Sequence, residues 1–315
     1  NSFCTLLAAG SLLSSRMKVT VVSGKREPKR EVVELPEHAT VAHLKAAYKP
    51  RMDIHRKSFK LAAEGDDGKA TALTNDAATL LELGVTADRE VQFKDLGPQV
   101  GYRTVFVVEY AGPIAFMLLY ALRPDFIYGA GASKMPLNDT QKLYVGAFIA
   151  HFVKRELETF FVHKFSRPTM PLRNIFKNCS YYWSFAAFMG YFLCHPEYTA
   201  PASALQSKLA AVGMLVMELG NLAVHLRLAG MRKAEGDQRR DAPKGGLFAL
   251  VSCPNYTFEV MSWVFYSIGS SVLMSWAFTG VGFLQMSEWA LKKHKGYVKA
   301  EPQLKSRKAI VPFLL

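Results

Sequence analysis

Two patterns of hydrophobic and polar residues divide the chain. From Met17 to about Leu96 they alternate in short runs; beyond Gly97 long apolar runs take over. Met17-Lys-Val-Thr-Val-Val has period two and predicts a strand. Gly24-Lys-Arg-Glu-Pro-Lys predicts a turn, and Arg30-Glu-Val-Val-Glu-Leu35 a second strand closing a hairpin. Thr40 is placed to cap a helix reaching about Tyr48, with Val41, Leu44 and Ala47 on one face. Phe59-Lys-Leu-Ala predicts a third strand. Ala77 to Gly84 predicts a short helix ended by glycine, and Arg89-Glu-Val-Gln-Phe-Lys a last strand.

The later runs lie near 104–122, 143–162, 179–194, 208–226 and 247–291. The last is long enough for two crossings at roughly 20 residues each. The expected fold is therefore an all-α polytopic membrane protein of about six transmembrane helices behind a small N-terminal α+β domain. Loop 163–178 carries Lys164, Arg167, Arg173 and Lys177 without an acid. Loop 227–246 carries six Lys or Arg, and the tail from Lys292 seven against Glu301. Loop 195–207 has Glu197 and no Lys or Arg. Basic loops stay cytosolic, so the pattern predicts both termini on that side. Loop 123–142 is nearly balanced. Residues 1–16 loosely mimic a signal peptide but lack a basic start. They are read as an upstream segment outside the fold, with the natural start at Met17. The expected division is 1–16, a domain at 17–96, and a membrane domain at 97–315.

Composition sharpens this picture. Among 315 residues, 39 Lys+Arg against 26 Asp+Glu give a net charge of +13, yet half the residues are hydrophobic. The positive charge sits beside apolar runs, which favours an anionic membrane face over nucleic acid. The four cysteines form no C-x-x-C pair and no disulfide-like spacing. No phosphate-binding glycine loop, H-E-x-x-H or cysteine cluster is present, so neither a soluble dinucleotide fold nor a metal is expected.

Charges inside the apolar runs carry the candidate chemistry. Lys154, Arg155, Glu156 and Glu158 crowd the second run. Each intramembrane charge costs about 2.5–3.5 kcal/mol on insertion scales, so four together imply a wet cavity or a ligand. Lys154 and Glu158 can also simply pair at i,i+4. Glu109 in the first run needs a partner, such as Lys154 or Arg155, or a ligand. Asn221 and His225 are i,i+4 near the end of the fourth run, followed by Arg232. The stretch from Leu250 to Trp263 opens the long final run. If a helix starts near Pro254, Asn255 and Glu259 share a face and Tyr256 lies one position round. His294 and Tyr297 follow in the tail. These clusters all fall at one membrane face, which argues for one composite site.

Cys253-Pro-Asn-Tyr-Thr-Phe-Glu259, the Lys154-Arg155 stretch, the segment Met170 to Trp183 and the ending Ser306-Arg-Lys-Ala-Ile-Val-Pro-Phe-Leu-Leu resemble the very-long-chain trans-2-enoyl-CoA reductases, of the steroid 5α-reductase-like group. The order of elements before Gly97 resembles a ubiquitin-like domain, here without a free Gly-Gly tail. The resemblance implies NADPH-dependent reduction of a long-chain trans-2-enoyl-CoA at the endoplasmic reticulum, the last step of each fatty-acid elongation cycle. It implies work beside the condensing enzyme, ketoacyl-CoA reductase and dehydratase of that cycle. By the same resemblance Asn221, Arg232, Asn255, Glu259, His294 and Tyr297 bind the cofactor. Lys154 and Arg155 form an essential basic pair, Tyr256 donates the proton, and Glu109 faces substrate. Either cation would make Tyr256 a better donor, or would bind phosphate instead. Two departures stand out. His225 occupies a position that is acidic in steroid reductases, and Gln303-Leu304 replaces a usual Tyr-Pro. The alternatives are a 3-oxo-steroid 4-ene reductase and a non-catalytic membrane scaffold that recruits partners through its N-terminal domain.

Overall fold

The computed structural model describes residues 16–24, 26–62, 70–86, 89–165, 167–232 and 241–315. The expected upstream segment thus falls almost wholly outside the described residues. The chain forms two compact units, one ending at Gln99 and one starting at Val100.

The first unit is a five-stranded mixed sheet with one helix. Strands β1 (Arg16–Ser23) and β2 (Lys29–Pro36) form the hairpin, in a register that pairs Val19 with Val33. Strands β3 (Lys57–Leu61), β4 (Thr71–Leu73) and β5 (Val91–Asp95) complete the order β2-β1-β5-β3-β4, with β1 and β5 parallel. Alternation buries Val19 and Val21 against Leu44, Phe59, Leu61 and Val91. Helix α1 (Val41–Ala47) starts at Thr40, whose hydroxyl accepts the His43 backbone N–H while His43 reaches back, a reciprocal cap. The expected helix at 77–84 is instead a run of turns. The Asp76 and Ala78 carbonyls accept the Ala42 and Val41 N–H groups, holding the start of α1 rather than a local ladder. The Leu80 N–H donates instead to the Ala39 carbonyl, and Gly84 takes φ +75°.

The second unit is built on six long helices: α2 (Tyr102–Ala121), α4 (Asp139–Phe161), α5 (Arg173–Cys194), α6 (Ala204–Gly230), α7 (Pro254–Ser270) and α8 (Leu273–Ala300), with a short α3 (Asp125–Tyr128). Their core is aromatic: Tyr110, Tyr144, Phe148, Phe152, Trp263, Tyr266 and Phe278 interlock with Met117, Met189 and Met214. Ser271, at φ +51°, breaks the long last run into α7 and α8. Helices α6 and α7 approach closely because Gly213 and Gly220, seven residues apart on one face, receive the rings of Phe265 and Phe258. A Cβ at Gly220 would meet the Phe258 ring at 2.5 Å. That approach sets Asn221 beside the start of α7.

The expected all-α fold of six membrane-spanning helices is not what the chain forms. The five-stranded sheet makes the architecture mixed, and among the described residues only α2 and α6 are long and apolar enough to cross a membrane. The physical reason is the polar content of the other four. Helix α4 carries Lys154, Arg155, Glu156 and Glu158; α5 opens with Arg173, Asn174, Lys177 and Asn178; α7 has 17 residues; and α8 ends in Lys292, Lys293, Lys295 and Lys299. The apolar runs marked helices, but these charges of α4 and Asn178 of α5 turn inward, while Arg173 and the lysines of α5 and α8 stay exposed at the helix ends. On α6 the outer face is the apolar one, with Leu209, Val212, Leu215, Val216 and Leu219 exposed.

Candidate functional site

A cavity of about 430 Å³ is lined from all six long helices. Helix α2 contributes Glu109 and Tyr110, α4 His151 and Arg155, and α5 Asn178, Tyr181 and Tyr182. Helices α6 and α7 bring Asn221, His225, Asn255, Tyr256 and Glu259, and α8 walls one side from Phe278 to Trp289. The spacing expected of α7 is realised: Asn255 and Glu259 both face the cavity, one turn apart, as do Asn221 and His225 on α6.

The start of α7 is held from outside the helix. Ser252 and Cys253 N–H groups donate to the Lys308 and Ala309 carbonyls at 2.8 and 3.0 Å, and the Thr257 hydroxyl donates to the Ile310 carbonyl. The C-terminal segment thus fixes the end that presents Asn255 and Tyr256. From the opposite side, Asn221 Nδ2 donates to the Asn255 carbonyl at 2.9 Å and to Glu259 Oε2 at 3.2 Å.

The basic pair points in two directions. Lys154 Nζ donates to Glu218 Oε2 at 2.9 Å and Asn221 Oδ1 at 2.7 Å, with Glu158 at 3.4 Å. It stands behind the cavity wall as the hub of a buried polar chain. His151 continues that chain, with Nδ1 2.8 Å from Glu218 and Nε2 3.4 Å from Glu259. Arg155 lines the cavity. Its guanidinium pairs with Glu158 at 2.5 Å, donates to the Tyr110 hydroxyl at 3.2 Å and lies 5.3 Å from the centre of that ring. Neither cation is a neighbour of Tyr256, contrary to expectation. They sit on α4, and what they meet is α6 and α2. Tyr256 instead meets Lys293, whose Nζ is 3.0 Å from the phenolic oxygen.

Glu109, buried to 2 % exposure, takes its hydrogen bond from Asn178 Nδ2 at 2.8 Å rather than from either cation. Arg232, His294 and Tyr297 do not line the cavity. Arg232 and Lys164 exchange side-chain-to-carbonyl bonds with each other, and His294 Nδ1 sits 2.9 Å from the Ser252 hydroxyl. Glu158, His163 and His225 bring ligand-type atoms within 4.8 Å of one another, but the Glu158 oxygens already serve Arg155, Lys154 and His225.

Sequence reasoning missed Glu218, His151, Asn178, Tyr110 and Lys293. One signal was present: His151, Arg155 and Glu158 follow a 4–3 spacing that puts them on one face of α4. Another was Glu218 three residues before Asn221. Lys293 lies 37 residues from Tyr256, beyond any local pattern.

Chemically, the cavity pairs two phenols with two cations and sets carboxamides beside carboxylates. The Asn255 side chain has no hydrogen-bond partner among the described residues and faces the cavity beside Glu259. That donor–acceptor set fits the carboxamide of a nicotinamide ring. Arg155, and Lys177 on the rim, suit phosphates.

Residues 168–315 match the family model described as 3-oxo-5-alpha-steroid 4-dehydrogenase. A Trypanosoma brucei brucei protein assigned by name to the enoyl-CoA reductases is 60 % identical over 302 residues, spanning 95 % of this chain and 100 % of that protein. A Caenorhabditis elegans protein named as a very-long-chain enoyl-CoA reductase is 43 % identical over 83 % of this chain and 89 % of its own length. The very-long-chain enoyl-CoA reductase of Dictyostelium discoideum is 37 % identical over 94 % of this chain and 99 % of its own. The chain therefore belongs to the enoyl-CoA reductases of very-long-chain acyl groups, within the steroid 5α-reductase-like family.

Proposed function

We propose that this membrane-associated enoyl-CoA reductase binds NADPH against Asn221, Asn255 and Glu259, and reduces the 2,3 double bond of a long-chain trans-2-enoyl-CoA with Tyr256 as proton donor. The chain is an oxidoreductase acting on a CH–CH bond, in very-long-chain fatty-acid elongation. The observation that carries the reading is the single cavity in which carboxamide-binding groups on α6 and α7, a phenol on α7 and an apolar wall on α8 meet.

When bound, NADPH supplies the hydride that goes to Cβ. The protein's own residues do the rest. Asn255 and Glu259 orient the carboxamide of the ring. Asn221 keeps both in register, because it holds the Asn255 carbonyl and the Glu259 carboxylate at once. Charge develops on the thioester carbonyl oxygen as Cβ is reduced, and a positioned donor stabilises it. The Tyr110 hydroxyl, polarised by Arg155 and hydrogen-bonded to Glu109, turns to that oxygen, and Tyr256 protonates Cα. Glu109, held by Asn178, borders the same space. The acyl chain runs along Tyr181, Phe278, Val281, Gly282 and Trp289, between α5 and α8, and leaves toward the bilayer. These apolar side chains exclude water from the enolate.

We place the protein in the endoplasmic reticulum membrane, with its termini and basic loops on the cytosolic side, beside the other elongation enzymes. The N-terminal unit, by its strand order around α1, serves as a ubiquitin-like docking module. The test is a spectrophotometric assay on purified protein in detergent. NADPH absorbance should fall with a long trans-2-enoyl-CoA and stay constant with a 3-oxo-4-ene steroid. Consumption with the steroid alone would make it a steroid reductase, and with neither substrate a scaffold.

A further inference from the structure

Tyr256 receives its hydrogen bond from a residue that no part of the reading above uses. Lys293, on α8, places its ammonium 3.0 Å from the phenolic oxygen and 4.7 Å from the centre of the same ring. Trp289, one turn earlier on α8, packs against that ring at 6.2 Å between centroids. The phenol is thus clamped between a cation and an indole, both from the helix that faces α7 across the cavity.

The direction of this bond matters. An ammonium only donates, so the phenolic oxygen accepts and its own O–H remains free to donate into the cavity. A phenol so engaged develops anionic charge against a cation already in hydrogen-bond contact, and charge-assisted hydrogen bonds are about twice as strong as neutral ones. Lys154 and Arg155 cannot serve here, since they are committed to Glu218, Asn221, Glu158 and Tyr110. Lys293 is also exposed, so it connects the half-buried phenol to solvent.

We infer that Lys293 is the positioning residue of the proton-transfer step, holding the Tyr256 hydroxyl toward Cα and stabilising the phenolate it leaves. This rests on the reading of Tyr256 as the donor. In the step, the phenol O–H bond breaks and its electron pair stays on oxygen. The enolate's carbon–carbon π pair forms the Cα–H bond, and the thioester carbonyl is restored. An N–H proton of Lys293 then passes to the phenolate, and water reprotonates the amine.

The experiment compares Lys293→Met, Lys293→Arg, Lys293→Ala, Tyr256→Phe and the Lys293→Met/Tyr256→Phe double variant in the full chain, each assayed for kcat and for KM of NADPH and of the enoyl-CoA. Lys293→Met should lower kcat about ten- to a hundredfold, the worth of one hydrogen bond to a charged group, and leave both KM values within about twofold. Lys293→Arg should restore part of kcat, and ethylamine added to Lys293→Ala should raise its rate with saturation. In the Tyr256→Phe background, Lys293→Met should cost nothing further. A loss that adds to that of Tyr256→Phe, or one that appears in KM, would show a phosphate-binding cation and overturn the positioning role. An active Lys293→Met beside a crippled Tyr256→Phe overturns that role alone. A Tyr256→Phe protein with normal turnover overturns the donor and its positioning residue together.

Discussion

The Lys154 ammonium stands 2.9 Å from the Glu218 carboxylate, an ion pair that joins α4 to α6 inside the bundle. Glu218 also accepts from His151 and the Ser262 hydroxyl, so three side chains from α4 and α7 converge on one α6 carboxylate. Removing one partner of a buried pair leaves an uncompensated charge and costs ~3–5 kcal/mol. Glu218→Ala should therefore lower the thermal unfolding midpoint in detergent strongly, with Glu218→Gln milder because it keeps an acceptor. Lys154→Met should behave like Glu218→Ala and also weaken NADPH binding through Asn221. Unchanged unfolding in both variants would contradict the structural role given to this pair.

Asn255 and Tyr256 are neighbours in sequence with opposite expected signatures. Asn255→Ala should raise the Kd for NADPH, read by quenching of protein fluorescence, and leave the chemical step nearly intact at saturation. Tyr256→Phe should bind NADPH normally and lose about two to four orders of magnitude in kcat, the usual worth of a general acid. Glu259→Gln should resemble Asn255→Ala. The same phenotype in all three would mean that the start of α7 acts as a unit.

The candidate site was legible where its parts share a helix and illegible where they do not. Asn255 and Glu259, or Asn221 and His225, declare a common face by spacing alone. The charge cluster at Lys154–Glu158 declared a need for partners without naming them. Glu218 on α6 is set by packing against α7, which the Gly213 and Gly220 contacts govern, and Tyr110 on α2 by packing against α5, where Gly112 meets the Trp183 ring; no periodicity encodes either. The hairpin and α1 were legible because alternation and a capping Thr40 are local signals. The turns at 77–84 were not, since a short apolar run with a terminal glycine reads equally as helix. The count of membrane spans failed for a related reason. Helices that carry polar side chains, turned inward as on α4 or exposed at an end as on α5 and α8, dilute their own hydropathy, so an apolar run marks a helix without making it a span.

In the N-terminal unit, Arg56 binds Asp95 through two bonds at 3.1 and 2.6 Å. The Arg56 guanidinium, with help from the Gly97 N–H, holds the Asp95 carboxyl below its ordinary range. A carboxyl whose folded pKa is depressed contributes stability above its unfolded value, and loses it as pH falls through the folded one. Residues 17–99 made alone, which keep Gly97, should fold cooperatively, and their stability should fall below the ordinary aspartate range, about pH 4. Asp95→Asn should flatten that acid limb. The pair is a third exposed, so screening keeps the effect small and salt should reduce it further. Circular dichroism against pH at low and high salt measures both. An identical acid limb in Asp95→Asn would assign the pH dependence to other groups.

Gly282 bears on which acyl chains the enzyme prefers. It lies on the α8 wall, where a Cβ would come 3.4 Å from the Tyr181 hydroxyl and 3.6 Å from Met286 Cε, ordinary contact that leaves the fold undisturbed. A larger side chain there would instead occupy the space between α5 and α8 assigned to the acyl chain. Each methylene denied burial costs about 0.8 kcal/mol, close to fourfold in kcat/KM. Gly282→Leu, excluding about two methylenes, should lower kcat/KM for the longest enoyl-CoAs by about fifteenfold. Chains too short to reach the residue should react as before. The measurement is a chain-length series on wild type and variant. A uniform loss across the series would mean that Gly282 packs the helices, and unaltered kinetics at every length would put the acyl chain along another wall.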